Sequence, residues 1–231
     1  MLFPWIGTFE KIKLADMYIH YDDVSFSKGS FVNRVRVKTA TGSCWLSVPL
    51  RDFHKGTSIC QVEISKNKDW RTNHINILNQ HYRKAPFFHE MLEIVMKIYS
   101  QDWETIDALS IASIEEVCKY FNLLPSKGFM RSSQLGIGGQ SSHRLVHIVG
   151  KLGGKIYICG YEGAHHYLNQ QLFENSDIRV EYINYKKIPY PQLNGEFTPY
   201  LSILDLIANL GKAGSFVFQS NSVYWQEYIS S

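Results

Sequence analysis

Short segments that alternate between apolar and polar residues dominate the first quarter of the chain. Alternation with a period of two is typical of strands that bury one face. Strands are therefore predicted at residues 16–21, 32–38, 43–49 and 59–64. Because Thr39-Ala40-Thr41-Gly42 has the composition of a turn, the second and third of these strands should pair as a β-hairpin.

The middle of the chain, residues 69–122, repeats its apolar residues every three or four positions, which is the period of a helix. Helices are predicted at residues 70–82, 87–99 and 105–121. Asp69 and Thr105 are suited to cap the first and third of them, and the third should stop near Asn122. We therefore expect a helical segment here.

The last third alternates between strand and helix patterns. Strands are expected at residues 129–131, 155–159 and 178–182, and helices at residues 141–152, 164–173 and 202–210, with a further short helix at residues 8–13. Strand–helix–strand alternation with short loops favours a parallel sheet covered by helices. We expect a single α/β domain over residues 1–231, with a mostly parallel, Rossmann-like sheet flanked by helices, a β-hairpin and the helical middle segment.

Composition narrows the class of protein. Apolar residues make up 45% and charged residues 19% of the 231 residues, which argues against disorder. The net charge of +3 is small and the basic residues are dispersed, which argues against a polymeric nucleic acid as partner. Neither a secretory signal nor an apolar run of roughly 20 residues is found, so we expect a cytoplasmic protein without membrane insertion. Its cysteines form no CxxC pair and should be free thiols.

Ligands of parallel α/β sheets bind beyond the carboxyl ends of the strands. Three predicted strands end directly before polar or glycine-rich positions, which are Asp22 and Asp23, Ser132 and Ser133, and Gly160 with Gly163. We expect these three segments to meet at one edge of the sheet.

Asp22 and Asp23 are followed closely by Lys28 and Arg34. Carboxylates at a strand end can accept hydrogen bonds from a sugar or take a proton from an amine. An arginine can bind a carboxylate or a phosphate with two parallel hydrogen bonds. The same residues could instead form a surface ion-pair cluster around a turn, and residue chemistry alone leaves both interpretations open.

Two further segments carry candidate chemistry. Residues 136–142 form a glycine-rich stretch before a predicted helix, which favours a flexible loop over a phosphate cradle because no strand leads directly into it. His165 and His166 are adjacent, so on a helix they point about 100° apart and cannot readily bind one metal ion. We expect no metal site, while one of the two histidines, His165, is a candidate for acid–base chemistry.

Residues 185–199 contain three prolines and are too irregular for a helix or strand. This segment is predicted to be a packed strap, with a lid that carries Tyr190 and Gln192 as the alternative. Asp205 is interpreted as a buried carboxylate in a helix, where it would accept hydrogen bonds from loop amides.

These segments together resemble the WbqC-like protein family over almost the whole chain. The residues that carry the resemblance are Phe3-Pro4-Trp5-Ile6-Gly7, Tyr21-Asp22-Asp23-Val24, Phe26-Ser27-Lys28-Gly29-Ser30, Asn33-Arg34, Trp45-Leu46-Ser47-Val48-Pro49, Tyr82, Ala85-Pro86, Tyr157, Gly160, Gly163, Tyr167, Tyr190, Gln192 and Leu201-Ser202-Ile203-Leu204-Asp205. The resemblance implies an α/β fold and a place in the biosynthesis of O-antigen and other surface polysaccharides. Such proteins usually begin with a short apolar strand that is not found before Phe3, so we expect an upstream extension to stabilise the fold.

The first functional hypothesis is a transferase that adds an acyl or aminoacyl group to a nucleotide-linked amino sugar. Asp22, Asp23 and His165 are its candidate catalytic residues. Its candidate substrate-binding residues are Lys28, Asn33, Arg34, Ser132, Gly160, Gly163, Tyr167, Tyr190 and Gln192. The implied partners are a nucleotide sugar and an acyl or aminoacyl donor, whose identity the sequence leaves open. The alternative is a non-catalytic binding or scaffold subunit of the glycan assembly machinery, and a weaker option is a nucleotidyltransferase.

Overall fold

The computed structural model describes residues 1–230, which form two compact units. The helical unit comprises Met1–Phe9, Asp22–Leu124 and Lys187–Phe218. The sheet unit comprises Glu10–Tyr21, Pro125–Lys186 and the residues from Gln219 onward. Helix α1, Ile6–Leu14, begins in the first unit and ends in the second.

Four helices build most of the helical unit. They are α2 (Trp70–Tyr82), α3 (Phe88–Tyr99), α4 (Ile106–Phe121) and α8 (Ile203–Leu210). Asp69 caps α2 as predicted, because its Oδ1 accepts a hydrogen bond from the Thr72 backbone N–H at 3.1 Å. Helix α4 ends where Asn122 turns into the left-handed region at φ 57°. The predicted helical middle segment is thus confirmed.

The predicted hairpin is confirmed as β2 (Arg34–Thr39) and β3 (Gly42–Ser47), which pair antiparallel. The register places Arg34 opposite Ser47 and Arg36 opposite Trp45. Successive strand residues point to opposite faces of a sheet. The face with Val35, Val37 and Leu46 is buried, so the face with Arg34, Arg36 and Trp45 is the outer one.

The sheet unit contains short strands and short helices. Strand β1 (Tyr18–His20) runs parallel to β4 (Phe129–Arg131), whereas β5 (Ile156–Cys159) runs parallel to β6 (Arg179–Asn184), and β7 (Asn221–Tyr224) runs antiparallel to β6. The helices are α5 (Ser141–Lys151), α6 (Tyr161–Ala164), α7 (Gln170–Glu174) and α9 (Trp225–Ser230). Phe173, Val180 and Tyr182 lie fully buried at the centre of this unit's core.

The α/β class is confirmed, but the structure does not form the expected mostly parallel, Rossmann-like sheet. Within residues 1–230, parallel pairing is limited to two pairs of strands, β1 with β4 and β5 with β6, which lie in different sheets. Strands β1 and β4 have three residues each, too few to extend a wide ladder. No helix in the same residues is long and apolar enough to cross a membrane.

Two element predictions are wrong. Residues 59–64 form a 3₁₀ turn at Ile59–Gln61 and two isolated bridges, from Glu63 to Thr105 and from Ile64 to Leu50, although Val62 and Ile64 are buried as in a strand. The predicted helix at residues 164–173 is two helices, because Asn169 caps α7 by accepting from the Leu172 backbone N–H at 3.2 Å. Strand β7 and helix α9 were not predicted.

Candidate functional site

Asp22 lies two residues after the end of β1 and is only 3% exposed to solvent. Its carbonyl oxygen accepts from the Cys60 backbone N–H at 2.8 Å, and the Val24 carbonyl accepts from the Ile59 N–H at 2.9 Å. The Phe26 N–H completes this pairing by donating to the Thr57 carbonyl at 2.8 Å. The backbone that carries Asp22 is therefore fixed by non-local hydrogen bonds and is not a loose surface turn.

The charges of Asp22, Asp107 and Asp23 all act on the Cys60 thiol, and we call these four residues the aspartate cluster. The pKa of the Cys60 thiol is raised, first by burial and then by the nearby charges of these three aspartates. Asp107 lies in the first turn of α4 and is as buried as Asp22. Aspartates are seldom buried in protein interiors, so two buried aspartates that both act on one thiol mark a candidate site.

Sequence reasoning missed Asp107. A first-turn aspartate is common in helices because it suits the positive end of the helix dipole, so its local pattern gave no signal of a site. Only the fold brings it to the thiol that also lies near Asp22 and Asp23.

Arg34 does not form the ion-pair cluster that was the alternative interpretation of this segment. Its Nη2 donates to the Gly29 carbonyl, and its guanidinium carbon lies 4.3 Å from the centre of the Trp45 ring. Neither Arg34 nor Lys28 forms an ion pair within residues 1–230. Asn33 stabilises the start of the hairpin, because its Nδ2 donates to the Val48 carbonyl at 2.9 Å.

Tyr190 belongs to a buried network around Asp205. The carboxylate of Asp205, at 0% exposure, accepts from the Tyr82 hydroxyl at 2.8 Å and from the Tyr190 hydroxyl at 2.7 Å. Its burial is confirmed, and the phenols of Tyr82 and Tyr190 are partners that the sequence did not predict. Burial raises the pKa of Asp205, against the opposing effects of Tyr190, Tyr82 and the nearby Lys38 charge.

Gln192 fixes the segment that contains the prolines. Its Oε1 accepts from the Lys38 ammonium at 3.0 Å and from the Thr198 N–H at 2.8 Å. The Lys38 ammonium also donates to the carbonyls of Gly195 and Glu196. Residues 185–199 are therefore held at several points, as the packed-strap interpretation requires.

The turn after β5 carries the candidate residues of the sheet unit. Gly160 stands at the N-cap position of α6, and Gly163 lies within this helix. The exposed His165 has its Nδ1 3.0 Å from the Tyr161 carbonyl, and its ring stacks on the Tyr161 ring with centroids 4.7 Å apart. Tyr167 is half exposed, whereas Ser132 is fully buried.

The glycine-rich stretch at residues 136–142 is tied to its surroundings. The Ser142 hydroxyl donates to the Tyr167 carbonyl at 3.3 Å and accepts from the Asn169 N–H at 2.8 Å. Arg144 Nε donates to the Ile137 carbonyl at 2.9 Å. Ser141 and Ser142 lie inside α5 and do not cap it, since Gln140 occupies the N-cap position without a side-chain bond.

The candidate residues divide between the two units. The helical unit holds Asp22, Asp23, Lys28, Asn33, Arg34, Tyr190 and Gln192, whereas the sheet unit holds Ser132, Gly160, Gly163, His165 and Tyr167. The sheet unit adds Lys11, which sequence reasoning missed: burial lowers the pKa of its ammonium, and Cys159 lies nearby. No group of three or more His, Cys, Asp or Glu side chains among residues 1–230 is arranged to hold a metal ion.

The fold and the cluster define a mixed α/β protein with buried carboxylates beside a strand end. The chain belongs to the WbqC-like protein family, whose family model matches residues 1–215. It is also similar to the "Uncharacterized protein Rv1507c" of Mycobacterium tuberculosis, with 29% identity over 210 residues that cover 90% of each chain. No solved structure matches.

Proposed function

We propose that this protein is a cytoplasmic transferase that adds an acyl or aminoacyl group to a nucleotide-linked amino sugar. The product would enter the biosynthesis of O-antigen or another surface polysaccharide. The observation that supports the proposal best is the burial of the Asp22 carboxylate near Asp23 and Asp107. A general base in a largely dry setting is what removal of a proton from a sugar amine requires.

Asp22 acts as that base, and Asp23 orients the sugar by accepting from its hydroxyls. The sugar nitrogen attacks the carbonyl carbon of an acyl thioester or aminoacyl ester, and a new C–N bond forms. The bond from the carbonyl carbon to sulfur or oxygen breaks, and the leaving group departs with the electron pair. The nitrogen loses one proton to Asp22, so atoms and charge balance across the step.

Lys28 and Arg34 bind the diphosphate of the sugar nucleotide. Both cations lack an ion-pair partner within residues 1–230, so phosphate would supply their missing counter-charge. Asn33 positions them by holding the start of the hairpin at Val48.

His165 is proposed as the second acid–base group. Its Nε2 has no hydrogen-bond partner within residues 1–230, which leaves that nitrogen able to exchange a proton. Ser132 is fully buried, and Tyr190 and Gln192 form hydrogen bonds within the fold, so the other proposed substrate contacts are Gly160, Gly163 and Tyr167.

The test is native mass spectrometry of the purified chain with nucleotide amino sugars, acyl-coenzyme A thioesters and aminoacyl donors. A transferase forms a complex with one sugar nucleotide and shifts its mass by one acyl or aminoacyl group when the donor is added. Asp22→Asn should abolish the mass shift but keep the complex, whereas Asp52→Asn, which removes an exposed carboxylate of the same unit, should keep both. Full turnover in Asp22→Asn, Asp23→Asn and Arg34→Ala would refute the assignment.

A non-catalytic subunit of the glycan assembly machinery is the second candidate. Exposed large apolar side chains favour it, since Phe31 is 55% and Phe216 is 46% exposed. Stoichiometric co-purification with a partner protein, together with no binding of any sugar nucleotide, would identify this function instead.

A further inference from the structure

The outer face of the hairpin carries a row of cations beside an aromatic ring. Arg34 and Arg36 alternate with buried valines on β2, and Trp45 stands opposite Arg36 on β3. The Arg34 guanidinium carbon lies 4.3 Å and that of Arg36 5.9 Å from the centre of the Trp45 ring. Both distances fall within the reach of a cation–π contact.

Both arginines lack the carboxylate partner that commonly accompanies an arginine, although Arg34 Nη2 donates to the Gly29 carbonyl. Neither forms an ion pair within residues 1–230, and the Nε of each is buried without a hydrogen-bond partner there. Arg51 and Arg179, in contrast, form ion pairs with Glu63 and Glu181. Two adjacent guanidinium groups without a carboxylate leave a positive surface that an anion would neutralise.

The aromatic part of this face is open to solvent. Trp45 is 39% exposed, and the exposed ring of Phe31 lies 5.6 Å from it, measured between ring centroids. Nucleic acid bases stack on flat aromatic and guanidinium surfaces whatever their sequence. Aromatic rings next to arginines without an ion-pair partner therefore suit a ligand that has a base at one end and phosphates at the other.

We propose that Phe31, Arg34, Arg36 and Trp45 form a binding site for a nucleoside diphosphate. The base stacks on Trp45 and Phe31, and the phosphate oxygens accept hydrogen bonds from Arg34 and Arg36. This inference rests on the proposed function and deepens it, because it assigns the nucleotide half of the sugar nucleotide to three residues not selected from the sequence. A mononucleotide fits better than a nucleic acid strand, since the chain's net charge is only +3.

The test measures binding of uridine diphosphate, thymidine diphosphate and inorganic pyrophosphate to the full chain by titration calorimetry. Trp45→Ala should weaken binding of both nucleoside diphosphates by roughly 10- to 100-fold and leave pyrophosphate binding within about twofold. Trp45→Phe keeps a ring for stacking, so its affinity for the nucleoside diphosphates should lie between those of wild type and Trp45→Ala. Arg36→Ala should weaken binding of all three ligands by about tenfold or more.

Two control variants match these changes. Ser47→Ala alters the same strand without touching an aromatic ring, and Arg51→Ala removes an equal charge from the same unit. Both should bind like wild type. Equal affinity for uridine diphosphate in wild type, Trp45→Ala and Arg36→Ala would overturn the site, and so would tighter binding of a single-stranded oligonucleotide than of either nucleoside diphosphate.

Failure of this site and failure of the proposed function give different results. If Asp22→Asn stops transfer while the hairpin variants bind nucleotide normally, only the site is wrong. If the hairpin variants lose nucleotide binding but no donor yields a product, the site stands and the transferase is wrong. If wild type binds no nucleoside diphosphate, both are wrong.

Discussion

Removing the hydroxyl of Tyr82 should destabilise the helical unit more than removing any other phenol of the Asp205 network. This hydroxyl accepts from the Lys38 backbone N–H at 2.7 Å and donates to the Asp205 carboxylate at 2.8 Å. The Tyr82 side chain is buried, so water cannot replace either partner. Tyr82→Phe keeps the ring and removes only these two bonds.

The magnitude follows from the two bonds. Loss of a hydrogen bond to a charged group costs about 1.5–3 kcal/mol, and a buried N–H left unpaired costs about 1–3 kcal/mol. Tyr82→Phe should therefore lower the free energy of unfolding by about 2.5–6 kcal/mol, the sum of the two losses. Tyr190→Phe removes the 2.7 Å bond to Asp205 and should cost about 2 kcal/mol.

The assay is urea unfolding followed by circular dichroism at pH 7. The matched control is Tyr167→Phe, whose exposed phenol has no hydrogen-bond partner within residues 1–230, and it should change stability by less than about 0.5 kcal/mol. The double variant Tyr82→Phe, Tyr190→Phe should lose less than the sum of the single losses, because both phenols act on one carboxylate. If Tyr82→Phe and Tyr190→Phe lost equal stability, the bond from the Lys38 N–H would contribute nothing; equal stability of Tyr82→Phe and Tyr167→Phe would refute the whole network.

Three further predictions concern titratable groups. Burial lowers the pKa of His74 from 6.5 to about 4, so below pH 6.5 the unfolded chain binds more protons than the folded chain. The free energy of unfolding should therefore fall by about 3 kcal/mol between pH 6.5 and 4. Acid unfolding of His74→Gln should not show this loss. Burial raises the pKa of Glu10, so its contribution to stability has the opposite pH dependence: stability falls as pH rises through the raised pKa. The melting temperature of Glu10→Gln should therefore depend less on pH in that range. Burial lowers the pKa of the Lys11 ammonium, so stability should rise with pH between this lowered pKa and the ordinary value of about 10.4. Lys11→Met, which keeps most of the apolar stem, should remove this rise in thermal unfolding followed across the alkaline range.

Local signals explain the part of the fold that the sequence predicts. The cap at Asp69, the left-handed residue Asn122 and the turn at residues 39–42 lie within or beside the elements that they delimit. The same holds for the spacing of buried residues in α3. Short-range patterns of this kind need no knowledge of the rest of the chain.

Long-range pairing explains the part that failed. Strand β1 pairs with β4 across more than a hundred residues, and each strand is three residues long, so nothing in either segment specifies its partner. The missed aspartate of the cluster has the same cause: Asp107 has the local pattern of a helix start, and only tertiary packing brings it to Cys60.

The residues that carry the family resemblance fall into two physical groups. Tyr82, Tyr190 and Asp205 bond to one another in the interior, which is sufficient reason for their presence in a scaffold. Arg34 has no counter-charge within residues 1–230, and Asp22 is a carboxylate buried near two others at the end of a strand. That asymmetry is the physical reason to seek the chemistry of this protein at the aspartate cluster and the hairpin face, and the stability of its fold at Asp205.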